Sequence, residues 1–455
     1  MLSSKIRRFK FWLHLISAYL ERYTKIAAAV VLLLAGATFI FVKLMPQIIR
    51  ANVVTIGYVG NYSIENIPTS VLTLVTDSLV RVDDTGRPQS ALSSHWTISD
   101  DGKTYVVFLK DNLTWHDGSA VDARNITIAI ENVKVTGLNN KAIEFKLASP
   151  ISSFPTILDK PVFKTKTFYG VGEYRMTDID SRNGIIKNIS LAADKKGLPR
   201  VDIRFYQTEN QLQEAIKIGE VKFASVANAA TLARWPNLEV EKQTDRDELI
   251  TIFFNTQDSL LSSREFRQAL AYAINRSGFD GEIATSPLSK NNWAYSGNTK
   301  KYEYNTGRAK ELLSKSQVLN PRIVLSVTSG YLELAESIKN DWHDLGVDVE
   351  IKEEKEIPQD FQALLALNRL PRDPDQYALW HSTQIKTNLT KLKNVKVDKL
   401  LEDGRTLQKE EDRKPLYEEF QQALMDDLPA IFLYHPYKYK VVYKNSKDLI
   451  RNLPL

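Results

Sequence analysis

Cysteine is missing from all 455 residues. That absence excludes disulfides, thiolate nucleophiles, cysteine-ligated zinc, iron–sulfur clusters and a lipid anchor attached through cysteine. Histidine is scarce, and His14, His95, His116, His343, His381 and His435 stand far apart. No two have the H-E-x-x-H spacing that sets a pair of imidazoles on one helix face. There is no G-x-S-x-G nucleophile elbow and no G-x-x-x-x-G-K-[ST] phosphate loop, and Gly170 and Gly172 lack the third glycine of a dinucleotide turn. Carboxylates are plentiful, but the adjacent pairs Asp83-Asp84, Asp100-Asp101 and Asp426-Asp427 read as solvated acids of turns and helix ends. The expectation is a protein that is not an enzyme and holds no cofactor or metal.

Net charge is missing from most of the chain. Lys5, Arg7, Arg8, Lys10, Arg22 and Lys25 against Glu21 account for the whole formal charge of +5, so residues 26–455 sum to zero. Binding along a phosphate backbone needs a net basic face, which argues against nucleic acid as a partner. The composition, 43% hydrophobic and 25% charged, is that of a globular protein. The length exceeds the roughly 250–300 residues at which one core stops growing, so at least two lobes are expected.

What the chain does contain begins with Ile26 to Val42, 17 residues free of charge and proline. A run of that length is at the short end of what a bilayer core requires. A cleaved signal peptide is the competing reading, but the polar lead is 25 residues long and KLMPQIIRANVV offers no convincing cleavage site. The expectation is an uncleaved transmembrane anchor over 26–45, with the basic segment 1–25 cytoplasmic and the rest extracytoplasmic by the positive-inside rule. Within 1–25, Ile6, Phe9, Trp12, Leu15, Ile16, Tyr19 and Leu20 recur at helical spacing among basic residues, the pattern of an amphipathic helix on the inner leaflet.

Beyond the anchor the pattern is mixed α/β. VVTIGYVG from Val53 reads as a strand, Pro68 to Val82 as a helix, and Trp96 to Lys110 as a hairpin turning on Asp100-Asp101-Gly102. Val121 to Val133 reads as a helix capped by Asp122. Strands follow at AIEFKLASP and RVDIRFYQ, with a helix from Asn210 to Ile218 ending at Gly219. ITIFFNT reads as a buried strand, Ser263 to Ile274 as a helix, and Leu325 to Glu353 as a strand–helix–strand crossover. Asp398 to Leu428 reads as helical, and AIFLYHPYKYKVVY closes the chain as a strand. The 7 Trp, 19 Tyr and 18 Phe suit a ligand-binding protein.

Several of these segments together resemble one family. Asp77 to Asp83, Trp96 to Tyr105, Leu113-Thr-Trp-His-Asp-Gly118, Val171-Gly-Glu-Tyr174, Ala215 to Glu220, Phe254-Asn-Thr256 and Arg264 to Arg276 occur in the order found in the family 5 extracellular solute-binding proteins. Asp373-Pro-Asp375, Val397 to Leu401, Arg413 to Tyr417 and Pro429 to Tyr434 continue it to about residue 440. These are the oligopeptide, dipeptide and nickel receptors of bacterial ABC importers.

The resemblance implies a two-lobed α/β periplasmic-binding-protein-like fold of type II, in the peptide-binding cluster, that closes on its ligand by a hinge. It implies a discontinuous first lobe over 51–250 and 430–455 and a second lobe over 251–429. The partners implied are a peptide or peptide-like solute and the importer's permease and ATPase subunits, with the receptor a monomer. Two departures qualify this. Few residues separate Val133 from the strand at Ala142, so a subdomain is trimmed. Leu367 and Leu370 stand where peptide-binding relatives carry a Trp and the Asp that anchors the peptide ammonium; a leucine cannot pair with that charge. The flanking Arg369 and Arg372 suggest either an anionic ligand group or solvated loop residues. Asn61, Tyr62, Trp293, Arg369, Asp373 and Trp380 are the expected ligand contacts. A surface ligand sensor or interaction module of the same fold, outside transport, is the alternative function.

Overall fold

The structure is a computed structural model that describes residues 10–19, 21–23, 28–36, 38–39, 52–451 and 453. Residues 28–36 and 38–39 of the expected span are helical, with Val30 to Leu34 and Phe39 exposed. Positions 26, 27, 37 and 40–45 of that span lie outside the described residues. Among the described residues no helix is long and apolar enough to cross a membrane.

A 12-stranded sheet forms the backbone of the molecule. One end carries Asp348–Glu354, Arg322–Thr328, Ala363–Arg369 and Glu248–Phe254; the other carries Phe223–Val226, Val53–Val59, Arg200–Tyr206, Ile185–Ala193 and Tyr174–Arg182. The long strand Ala430–Tyr443 joins the two ends. Its first residues pair antiparallel with Ile250 to Phe253, and Tyr437 to Tyr443 pair with Thr244 to Leu238. Leu238–Thr244 itself continues through Asp245, Arg246 and Asp247 into Glu248–Phe254. Two adjacent strands therefore cross from one end to the other side by side.

The cores follow the same division. One apolar cluster draws on residues from Leu249 to Leu433. Three others draw on residues from Val54 to Leu238 together with Val441, Ile450 and Leu453. Glu248–Phe254 is almost wholly buried, as a strand flanked by strands and covered on both faces must be. The crossover is parallel: Arg322–Thr328 pairs in parallel with Asp348–Glu354, and helix Leu332–Leu345 between them ends at Gly346, whose φ of 97° only glycine adopts freely. Helix Arg264–Ala273 starts at Ser263, whose hydroxyl accepts from the Phe266 amide at 3.3 Å.

The third cluster sits under a separate four-stranded sheet, ordered Ser93–Ile98, Thr104–Leu109, Ala142–Leu147, Val133–Gly137. The expected hairpin around Asp101-Gly102 is there. The helix expected over Val121 to Val133 is not. Asp122 does cap, accepting from the Arg124 amide at 2.9 Å, but only over the single 3-10 turn Ala123–Asn125. Ile126, Ile128 and Ile130 then pack half-buried against the cluster in extended chain. Their i, i+2, i+4 spacing and β-branching favour an extended segment over a helix. The helix expected from Pro68 likewise ends early: it spans Thr69–Val75, and Val80–Val82 pairs as a strand with Pro88–Ser90.

Candidate ligand-binding cleft

Between the two ends of the molecule lies a cavity of about 380 Å³. Its floor is the crossing ribbon, at Gln243 to Asp247, Lys438 and Lys440. The end with Phe223–Val226 contributes Ser225 and the turn at Asp83, Asp84 and Gly86; the end with Glu248–Phe254 contributes Leu288, Ser289, Asn291, Asn292 and Leu370 to Arg372.

The turn is built by Asp83. Its carboxylate accepts from the Thr85 amide at 2.9 Å, the Thr85 hydroxyl at 2.6 Å, the Arg87 amide at 3.0 Å and Gln89 at 3.0 Å. Burial alone would raise this carboxyl, but those hydrogen bonds outweigh it and hold Asp83 at about 2. The turn thus stays anionic and fixed at neutral pH.

The same turn meets the opposite wall directly. Arg372 donates from Nη1 to the Val82 carbonyl at 3.0 Å and from Nη2 to Asp247 at 2.8 Å, while its own carbonyl accepts from Asn292 at 2.7 Å. Burial disfavours the Arg372 charge, but the hydrogen bond to Asp247 keeps the guanidinium above its ordinary range. Gly86, at a φ of +88°, lies so close that a Cβ there would fall 2.2 Å from the Arg372 carbonyl oxygen. The Trp293 amide donates to the Thr85 carbonyl at 2.9 Å, and Arg87 makes a two-pronged contact with Glu410 at 2.8 and 2.5 Å. At the ribbon, Lys438 pairs with Asp245 and, at 3.1 Å, with Glu248; Arg246 pairs with Glu282 at 2.6 Å. The two sides of the cavity thus touch directly.

None of the six expected contact residues lines this cavity, although three of them immediately adjoin it in sequence or space. Asn61 is exposed at the end of the first strand, and the Tyr62 hydroxyl donates to the Val59 carbonyl at 3.0 Å with its ring against Phe205. The Trp293 indole is buried edge-on to Tyr417, with the Arg413 guanidinium 5.2 Å from its ring centre. Arg369 is exposed, 3.9 Å from Glu248. Asp373 is buried in an ion pair with Arg413 at 2.7 Å. Trp380 is in the core against Phe253 and Phe432, its indole N–H donating to Gln376 at 2.6 Å. Leu370 does line the cavity, whereas Leu367 packs half-buried against the core. Sequence reasoning treated Asp83 and Asp84 as ordinary turn acids and did not single out Lys438 or Lys440. Their roles depend on the crossing ribbon, which brings distant positions together. Among the described residues no group of three or more His, Asp or Glu is placed to hold a metal ion.

Two lobes, joined by paired crossing strands with a polar cavity between them at the crossing, define the architecture of a periplasmic-type binding protein. Residues 87–383 match the model of the bacterial extracellular solute-binding proteins, family 5 Middle, and the chain belongs to that family. It is 22% identical to the oligopeptide-binding protein AppA of Bacillus subtilis over 84% of this chain and 85% of AppA. Among solved structures, the ABC transporter substrate-binding protein CtaP of Listeria monocytogenes superposes with a TM-score of 0.74 at 21% identity, covering 86% of this chain and 94% of CtaP. NikZ of Campylobacter jejuni, solved in complex with Ni(L-His), gives 0.71 at 21% identity over 87% and 94%. At these identities the structural likeness establishes the shared fold.

Proposed function

We propose that this protein is a membrane-anchored extracytoplasmic receptor that captures a peptide or peptide-like solute between its lobes and delivers it to an ABC importer. The polar cavity at the crossing ribbon carries this reading, because it is where lobe movement and ligand contact coincide. Relatives support the cargo class: AppA of Bacillus subtilis is named for oligopeptides, and its structure was solved with a nonapeptide. The lobes in this reading are residues 51–250 with 430–455, and 251–429, flexing at Asp245 to Asp247 and at the facing part of Ala430–Tyr443. The receptor acts as a monomer and docks closed on its permease, with the ATPase on the other side of the membrane.

The anchor rests on the uncharged run Ile26 to Val42 and on the basic residues that precede it. Alkaline carbonate extraction of membranes tests it: the full chain stays in the pellet, and a chain lacking residues 1–45 is released. Ligand capture is tested by thermal unfolding of the full chain in detergent against peptides, sugars and metal chelates. A ligand at one hundred times its Kd stabilises by about 2.7 kcal/mol. Failure of every compound to raise the melting temperature would count against capture.

A further inference from the structure

Several strand ends share one rim of the first lobe. Val53 pairs in parallel with Arg200 and Ile56 with Phe223, while Val442 meets Phe223 and Tyr443 meets Leu238 in antiparallel register. The starts of Val53–Val59, Arg200–Tyr206, Phe223–Val226 and Leu238–Thr244 and the finish of Ala430–Tyr443 therefore lie together. Hydrogen bonds join the loops at these ends into one surface. Arg200 donates its amide to the Asn52 carbonyl at 2.9 Å, Lys222 to the Thr55 carbonyl at 2.8 Å, and Lys444 to the Asn237 carbonyl at 3.0 Å. The Tyr443 hydroxyl donates to the Ile216 carbonyl at 2.9 Å, which brings in the end of helix Glu209–Lys217.

This rim is both apolar and basic. Ile218 is 75% exposed and Trp235 41%, two large apolar side chains that the fold leaves outside. Lys195, Lys217 and Lys447 are matched by Glu173, Glu214 and Glu239. Lys196, Lys222, Arg234 and Lys444 have no carboxylate partner among the described residues; Lys222 rests on the Tyr443 ring at 4.4 Å, and Lys444 donates to the Pro236 carbonyl at 2.5 Å. Asp448 is an exposed acid of the same neighbourhood and offsets one of the four. Because residues 26–455 carry no net charge, these bases are a local concentration.

On the anchor reading above, seven residues, 46–52, separate the end of the expected anchor from Val53. At 3.3–3.6 Å per residue, a chain of that length reaches at most about 25 Å. The rim that contains Asn52 is then the part of the domain held nearest the bilayer. Tryptophan seats at headgroup level, and each Lys or Arg near an anionic surface favours contact by a factor of about five. Resting on that reading, we infer that this rim lies on the anionic headgroups of the membrane surface outside the cell, with Ile218 and Trp235 among the headgroups and Lys196, Lys222, Arg234 and Lys444 on the phosphates. The crossing strands leave the rim at Leu238 and Tyr443 and run about 20 Å to Thr244 and Tyr437, so the cavity and the second lobe stand away from the lipid.

The chain has no cysteine, so single labels can be placed without background. Ala233→Cys and Asn237→Cys flank Trp235 and remove none of the named contacts; Leu319→Cys and Ile385→Cys, exposed in the second lobe, serve as references. Each full chain, labelled with a fluorophore, is incorporated into nanodiscs whose lipids carry a headgroup nitroxide. In discs of phosphatidylcholine and phosphatidylglycerol mixed equally, the labels at 233 and 237 should be quenched at least about twofold more than the references. Adding Lys196→Gln and Arg234→Gln, both at exposed positions, should shift the domain off the lipid by about thirtyfold and bring the label at 237 to the reference level. Salt at about 1 M, where the Debye length is about 3 Å, should do the same. An unchanged melting temperature certifies that the variants fold. Equal quenching at the four positions, stronger quenching at 319 or 385, or quenching in pure phosphatidylcholine that matches the mixed discs overturns the inference and leaves the anchor reading standing. A full chain that fails to enter the discs rejects the anchor and the inference with it.

Discussion

Replacing Asp373 with alanine should destabilise the second lobe without touching ligand affinity. Asp373 and Arg413 are 5% and 6% exposed, and they meet through two hydrogen bonds, at 2.7 Å to Oδ1 and 3.2 Å to Oδ2. Burial disfavours the Arg413 charge, but the Asp373 carboxylate holds the guanidinium above its usual range. Without Asp373 the cation remains buried, and breaking such a pair typically costs about 3–5 kcal/mol. Arg413 keeps the Gly404 carbonyl at 3.1 Å, the Tyr417 hydroxyl at 3.2 Å and the Trp293 and Tyr417 rings, which places the loss near the lower end of that range. Urea unfolding followed by tryptophan fluorescence measures it, since Trp293 lies against the pair. Asp373→Ala/Arg413→Met removes the stranded charge and should recover much of the stability. An Asp373→Ala protein within 1 kcal/mol of wild type, or a double variant that sums the two single losses, would refute the reasoning. A tenfold loss of ligand affinity in a correctly folded Asp373→Asn protein would instead return Asp373 to the binding site.

Gly86→Val needs a positive φ and drives a Cβ into the Arg372 carbonyl, so the unliganded variant should show a larger radius of gyration by small-angle scattering than wild type; identical scattering curves would contradict the contact. Asp83 has a folded value of about 2 against an ordinary 3.8. Its contribution to the turn is fully present above about pH 4 and is lost as pH falls toward 2, and Asp83→Asn should flatten that part of the acid-unfolding curve. Trp342 is wholly buried and donates its indole N–H to the Leu270 carbonyl at 3.0 Å, so Trp342→Ala should cost about 3–5 kcal/mol in urea titration. Arg87→Ala removes an exposed pair with Glu410 and should cost no more than about 1 kcal/mol in the same assay.

The sheet was legible where periodicity and length agreed. Glu248–Phe254, helix Arg264–Ala273 and the crossover from Arg322 to Glu354 lie within a few residues of their expected bounds, because long apolar runs and glycine stops have one solution. The segment after Asp122 misled because a good cap and a first turn precede three alternating isoleucines, and the β-branched alternation won. The hairpin Tyr174–Arg182 and Ile185–Ala193 passed unread because its first strand is polar, with most residues exposed. Its turn carried a signal all the same: Asn183 and Gly184 both take positive φ, 53° and 77°, as a type I′ turn demands of an Asn-Gly pair. The cleft was the least legible part. Asp84, Arg372 and Lys440 are spread over more than 350 positions, and no local pattern marks residues that only a long-range strand crossing assembles.

That crossing also explains why aromatic residues were poor guides to the cleft. Trp293 and Trp380 bury large apolar rings, and the second lobe needs them inside to stabilise its core. The two lobes meet instead through short polar contacts: the Val82 and Thr85 carbonyls and Arg87 of one turn, and Ser152 and Ser153, which hydrogen-bond Arg405, Gly404 and Asp375. Neutral hydrogen bonds of this kind contribute about 0.5–1.5 kcal/mol each, those from a charged group about 1.5–3, and the exposed ion pair at most about 1. Each contact is therefore weak alone, and removing any one of them should leave the two lobes in contact.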